Sequence, residues 1–218
     1  DGIKAKVPNT EVIYTLGCNH TENFLMKDLG QCVTSEKGNG LKSEFFNNTE
    51  FKGEPVYSGL AKELHYTTGG NTQFAPNVNL TDFSARFTGE FTSPQSGDIE
   101  FTISGNDGFR LFIGEEKVAE SWTNEYGSTK KYTLKAEEGK KYPIKIEYMQ
   151  AKGSADLNFS IAVRTPVDYQ ATANEVKDAD VIIFVGGISP RLEGEEMPVD
   201  AEGFKKGDRL NIEIPTVQ

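Results

Sequence analysis

The chain has 218 residues, 36% of them hydrophobic, with 22 glycines and a formal net charge of −10. That composition supports a packed core in one large or two small domains. The acidic balance excludes the basic footprint that nucleic acid requires and offers anionic lipid no basic face, and no apolar run has the length of a membrane span.

In chain order the first element is Thr10-Glu-Val-Ile-Tyr-Thr-Leu-Gly-Cys, a short β-rich run that ends in glycine. Cys18 and Cys32 are the only cysteines. They either close a small loop in an oxidising compartment or stand as two free thiols. From about Gly40 to Asp168 the text is aromatic and β-branched, with turn signals every eight to twelve residues. Phe83-Ser-Ala-Arg-Phe-Thr-Gly-Glu-Phe and Asp98-Ile-Glu-Phe-Thr-Ile-Ser alternate, and Arg110-Leu-Phe-Ile-Gly-Glu-Glu-Lys-Val turns at Gly114. Lys141-Tyr-Pro-Ile-Lys-Ile-Glu-Tyr and Ala155-Asp-Leu-Asn-Phe-Ser-Ile-Ala-Val complete the series. Many short strands at this spacing predict an antiparallel sandwich or barrel.

Around Asn174-Glu-Val-Lys-Asp-Ala-Asp the pattern predicts a short helix leading into Val181-Ile-Ile-Phe-Val-Gly-Gly. A wholly apolar run of this length reads as a strand buried on both faces of a parallel sheet. The loop behind it holds Glu193, Glu195 and Glu196. In open α/β sheets ligand chemistry collects beyond the carboxyl ends of the strands, so these carboxylates are acid/base candidates. The expected architecture is mainly β. An antiparallel sandwich over 40–168 is inserted into a partial α/β sheet built from two chain ends, 1–39 and 169–218. If the runs at Val12 and Val181 are parallel strands of one sheet, their following loops leave from one edge and the sandwich rises beside Glu195. Asn19, Asn47, Asn79 and Asn158 each begin an N-x-S/T sequon.

The middle of the chain resembles a PA-14 domain, the β-sandwich module first described in anthrax protective antigen. The likeness is carried by Gly40-Leu-Lys-Ser-Glu-Phe-Phe-Asn-Asn, Phe83-Ser-Ala-Arg-Phe-Thr-Gly, Gly97-Asp-Ile-Glu-Phe-Thr-Ile and Ser104-Gly-Asn-Asp-Gly-Phe-Arg-Leu-Phe-Ile. Trp122, Glu138-Gly-Lys-Lys-Tyr-Pro-Ile-Lys-Ile-Glu-Tyr and Gly153-Ser-Ala complete it. The flanks are similar to the C-terminal α/β domain of family 3 glycoside hydrolases, through Ala179-Asp-Val-Ile-Ile-Phe-Val-Gly-Gly, Glu193-Gly-Glu-Glu, Gly207-Asp-Arg and Ile214-Pro-Thr-Val-Gln. These enzymes often carry a PA-14 insertion there. The resemblance implies a fragment of a retaining β-glucosidase or β-xylosidase, periplasmic or extracellular. Its partners are a β-linked oligosaccharide or glycoside and the remaining domains of the parent enzyme, among them the domain that supplies an Asp nucleophile. It places the general acid/base on Glu195. Asp208-Arg209 falls later than the family's Asp-Arg, so Glu193 and Glu196 stay as rivals.

That chemistry needs one carboxylic acid to protonate the leaving oxygen and a second carboxylate across the anomeric carbon. Neighbouring negative charge and burial keep a proton on the acid near neutral pH. A second candidate site is the Asn106-Asp107-Gly108 turn. Some PA-14 lectins hold calcium with two aspartates there, but Asn106 replaces the first, and calcium prefers several carboxylates. The expectation is therefore no cofactor, with Asp107 capping a hairpin turn and Gly108 at positive φ. Among the aromatics, Tyr126 is the loop candidate for sugar stacking, and Trp122 suits a support role better. A free-standing carbohydrate-binding or adhesion module is the alternative reading.

Overall fold

Alternation with a period of two decides the larger part of the structure. It is a computed structural model that describes residues 2–122, 127–189, 192–193, 199, 201–206 and 208–218. The chain divides into two compact units, Met26–Arg164 and a smaller one built from Asp1–Leu25 with Thr165–Gln218. The strands are β1 (Phe24–Asp28), β2 (Val33–Ser35), β3 (Gly38–Asn39), β4 (Leu41–Phe46), β5 (Tyr57–Ala61), β6 (Leu64–Thr67), β7 (Phe83–Thr92), β8 (Gly97–Asn106) and β9 (Gly108–Ile113). They continue with β10 (Glu116–Trp122), β11 (Ser128–Ala136), β12 (Lys141–Gln150) and β13 (Asp156–Pro166). One sheet runs β1-β13-β8-β11 with β6 also on β13, and the other runs β10-β9-β12-β7 with β4 and β2 sharing the far edge of β7. Among the described residues the ladders of both sheets are antiparallel, as the sequence predicts. Gly89 marks where β2 gives way to β4, since a Cβ there would lie 2.8 Å from both Leu41 Cδ2 and the Thr34 carbonyl oxygen.

The inward positions form one aromatic core. Phe45, Phe83, Phe87, Phe91, Phe101, Ile103, Leu111, Ile146 and Tyr148 are fully buried. Phe91 of one sheet meets Phe101 of the other edge-on at 5.6 Å, a favoured aromatic geometry. Tyr66 sits among Phe45, Phe74 and Phe87, and burial first, then nearby Tyr57, pushes its phenol up to about 12.

The outward positions of the larger sheet carry a row that appears only once the register is known. Glu44, Arg86, Glu147, Arg110 and Glu120 stand opposite one another across five adjacent strands. Their charges alternate. Glu147 lies 3.8 Å from Arg86, 3.8 Å from Arg110 and 3.5 Å from Lys145, while Arg110 reaches Glu120 at 2.9 Å. Opposite charges directly across a sheet contribute about 0.2–1 kcal/mol per pair. On the other sheet Glu100 accepts from Lys131 and Arg164, both at 3.0 Å. Burial works to raise its carboxyl pKa, yet these two cations together hold it below the usual range.

The smaller unit differs from expectation. It contains helices α1 (Gly2–Lys6) and α2 (Tyr169–Val176) and one hairpin, β14 (Phe204–Lys205) with β15 (Asp208–Arg209). Helix α2 begins earlier than the sequence suggests because Asp168 caps it, its Oδ1 accepting from Ala171 N at 2.8 Å. Neither apolar run is a strand. Ile13, Tyr14 and Leu16 are exposed, and Val181–Val185 are between 61% and 88% exposed. An extended run becomes a strand only where a neighbour completes its ladder, and among the described residues none pairs with either. The expected partial α/β sheet is therefore replaced by extended segments tied at their ends. Gln218 Nε2 donates to the His20 and Gly187 carbonyls at 2.9 and 2.6 Å, and its Oε1 accepts from Gly187 N at 2.7 Å. Val167 N also donates to the Asn23 carbonyl at 3.1 Å. Cys18 and Cys32 are free thiols. Among the described residues no helix is long and apolar enough to cross a membrane.

Candidate functional site

Among the described residues two places are the candidate sites. The first is the connection by which β8 of one sheet passes into β9 of the other, where Asn106 and Asp107 are joined by a cis peptide bond, so the expected hairpin turn is a crossing between sheets. Asp107 is buried, and its Oδ2 accepts from Ala151 N at 2.7 Å and Lys152 N at 3.1 Å. Asn106 Oδ1 accepts from Asp156 N at 2.9 Å. The Tyr148 hydroxyl donates to the Asn106 carbonyl and lies 2.6 Å from Gln150 Oε1, while Gln150 Nε2 donates to the Lys152 carbonyl at 2.6 Å. Burial, followed by the carboxylates of Asp107 and Asp156, raises the Tyr148 phenol well above its ordinary range.

Asp107 therefore binds the loop between β12 and β13, not its own turn, and ties together two connections that pass between the sheets. The predicted positive φ at Gly108 is also corrected, since Gly108 is not among the positive-φ residues. A Cβ there would lie 2.9 Å from Met149 Cε and 3.4 Å from Trp122 Cε3, so the Met149 side chain would have to shift to make room.

The fit to calcium is poor. Calcium takes six to eight oxygens, but one Asp107 oxygen and the Asn106 amide oxygen already accept backbone N–H groups. Among the described residues no group of three or more His, Cys, Asp or Glu could hold a metal ion. Asp107→Ala, which strands the two N–H groups, is expected to cost about 2 kcal/mol of stability, read by urea unfolding. Millimolar calcium and a chelator should both leave the thermal midpoint of the unaltered chain unchanged. A calcium-dependent rise of the midpoint would contradict this account of the turn.

The second place is a cleft of about 720 Å³ in the smaller unit, lined among the described residues by Asn19, His20, Thr21, Glu22, Ser189, Leu192, Val199 and Ala201. The early and late segments of the chain thus wall one cavity. Asn19 Nδ2 donates to Glu22 Oε2 at 3.1 Å. Glu193 follows Leu192 and is exposed, with its N–H donating to the Ser189 carbonyl at 3.3 Å. Glu195 and Glu196 lie outside the described residues, as does Tyr126. Asn19–Glu22 went unrecognised in the sequence beyond a sequon, because nothing local links them to residues near position 190.

Trp122 is half-buried on the outer face of the larger sheet, with the Arg110 guanidinium 3.8 Å from its ring centre. Phe51, which no sequence pattern marks, stacks beside it at 6.3 Å.

The PA14 domain model matches residues 37–178. The chain belongs to the PA14 domain family. Strands β4–β13, most of the core and the Asn106–Asp107 turn lie inside the matched PA14 segment, while β1, β2 and core residues Leu29 and Val33 precede it. Over its whole length the chain is 37% identical to a xylan 1,4-β-xylosidase of Xylanibacter ruminicola, of which it covers 25%. It is 24% identical to a probable β-glucosidase of Emericella nidulans, again over 100% of this chain and over 27% of that protein. A solved β-glucosidase from Kluyveromyces marxianus superposes with a TM-score of 0.54 at 16% identity, covering 80% of this chain and 23% of the other, which speaks to the fold alone. The chain spans about a quarter of the length of the curated relatives it matches.

Proposed function

We propose that this chain is a segment of a retaining β-glycosidase of the family 3 type, acting on terminal β-linked xylosides or glucosides outside the cytoplasm. The observation that carries the reading is the reach of the xylosidase likeness. It covers 100% of the chain, so it includes both flanks as well as the PA14 segment at 37–178. A module shared only as a sandwich would match only the sandwich.

In this reading Glu195 is the general acid/base, with Glu193 and Glu196 as its rivals, and the nucleophilic carboxylate comes from a domain outside this chain. Glu195 protonates the leaving oxygen as the nucleophile attacks the anomeric carbon, then deprotonates the water that releases the sugar. The sandwich interrupts the smaller unit between Leu25 and Thr165. Cleft residues Asn19–Glu22 stand just ahead of β1 in the chain. That connectivity supports a role for the PA14 segment in shaping the active-site entrance and the choice of substrate.

The test is hydrolysis of aryl β-D-xylosides and β-D-glucosides by the full-length protein beside this chain alone. The full-length protein is expected to turn over at least one of them and the isolated chain neither. Turnover by the isolated chain overturns the assignment of the nucleophile.

A further inference from the structure

Next to the charged row on the larger sheet, Phe46, Ser84, Met149, Gly108 and Trp122 stand opposite one another across the same strands. Ser84 and Gly108 are too small to fill that row, and Phe51 reaches over it from the β4–β5 loop. The Phe51 ring lies 6.3 Å from Trp122 with 23° between planes, and 6.1 Å from Phe46. Beneath the two outer rings lie the guanidinium groups of the charged row, Arg86 at 5.2 Å from the Phe51 centre and Arg110 at 3.8 Å from the Trp122 centre. Each ring thus rests one face on a cation and remains half-exposed.

Phe51 is held in place at some cost. Its φ is 58°, the left-handed region that a bulky side chain rarely adopts. Asn48 fixes the loop around it: its Oδ1 accepts from Glu50 N and Lys52 N, both at 3.0 Å, and its Nδ2 donates to the Lys52 carbonyl at 2.9 Å. Strain maintained by a dedicated set of hydrogen bonds to present an aromatic ring is what a pre-organised binding surface requires.

We propose that Phe51 and Trp122 form a two-ring platform that binds a β-linked pyranose oligosaccharide. The near-parallel rings offer apolar surface to the C–H faces of successive sugars. Arg86, Arg110, Glu120 and Glu147, ion-paired with one another, form the support beneath the rings. The ligand class rests on the glycosidase reading, and the platform deepens that reading by supplying a second hold on the same substrate.

Trp122 is the sole tryptophan, so its emission reports on the platform alone. The experiment titrates this chain with xylohexaose and with cellohexaose, following Trp122 fluorescence, with calorimetry in parallel. A saturable change with one of them is expected. Phe51→Gly keeps the left-handed backbone without strain and should weaken binding by about tenfold, while Phe51→Tyr should retain it. No signal or heat with either sugar up to about 10 mM, where millimolar affinity registers, overturns the platform. Equal affinity in Phe51→Gly does the same. A full-length protein that hydrolyses β-xylosides while this chain stays silent removes the platform and leaves the enzyme reading standing. Binding without hydrolysis does the reverse.

Discussion

Glu195→Gln in the full-length protein is expected to lower kcat on an unactivated β-xylobioside by about 10²–10⁴-fold, the range over which general acid–base catalysis operates. An aryl xyloside whose phenolate leaves unaided should lose far less in the first step, because the departing oxygen needs no proton. The second step still lacks its base. Azide should restore turnover by attacking the glycosyl–enzyme in place of water and releasing a β-glycosyl azide, since an anion needs no deprotonation. Glu193→Gln and Glu196→Gln should change kcat by less than about tenfold, because only the true proton donor contributes in the transition state. Azide rescue in one of those two variants would transfer the role to it.

Phe87→Ala should be the most damaging single change to the fold of this chain. Phe87 is fully buried. It packs edge-on against Phe45 at 5.7 Å and at a tilt of 34° against Tyr66 at 5.8 Å. Removing a buried phenylalanine costs about 3–5 kcal/mol through lost transfer energy and the cavity left behind. Its position at the centre of β7, with β4 on one side and β12 on the other, leaves little freedom to collapse. Urea unfolding should show a lower midpoint with an unchanged slope. Phe112→Ala, on the outer face under Lys145, should cost under about 1 kcal/mol. A loss below about 1 kcal/mol for Phe87→Ala would mean that the core is not built as described.

The sandwich was legible because alternation states which side chains face inward without reference to anything distant. Phe83, Ala85, Phe87 and Phe91 fall inward on that rule, and all are buried. The chain ends were legible only in composition. Val181–Val185 has the residues of a buried strand, but whether such a run is a strand depends on neighbours, and here it is extended and exposed. The clamp at Asp107 escaped for a related reason: its partners lie 44 and 45 positions away, and turn chemistry offered a nearer explanation. Phe51 was invisible because it sits in a left-handed turn and belongs to no periodic pattern. The charged row from Glu44 to Glu120 could be seen in the sequence only as scattered charges, since register alone aligns it.

The central claim is that the chain belongs to a retaining β-glycosidase, and the sugar's first-formed anomer tests it most directly. Hydrolysis of an aryl β-xyloside or β-glucoside by the full-length protein, followed by proton NMR before mutarotation, should give the β-anomer first, the outcome of two displacements through a covalent intermediate. The α-anomer appearing first, or no hydrolysis of either glycoside, would contradict the account.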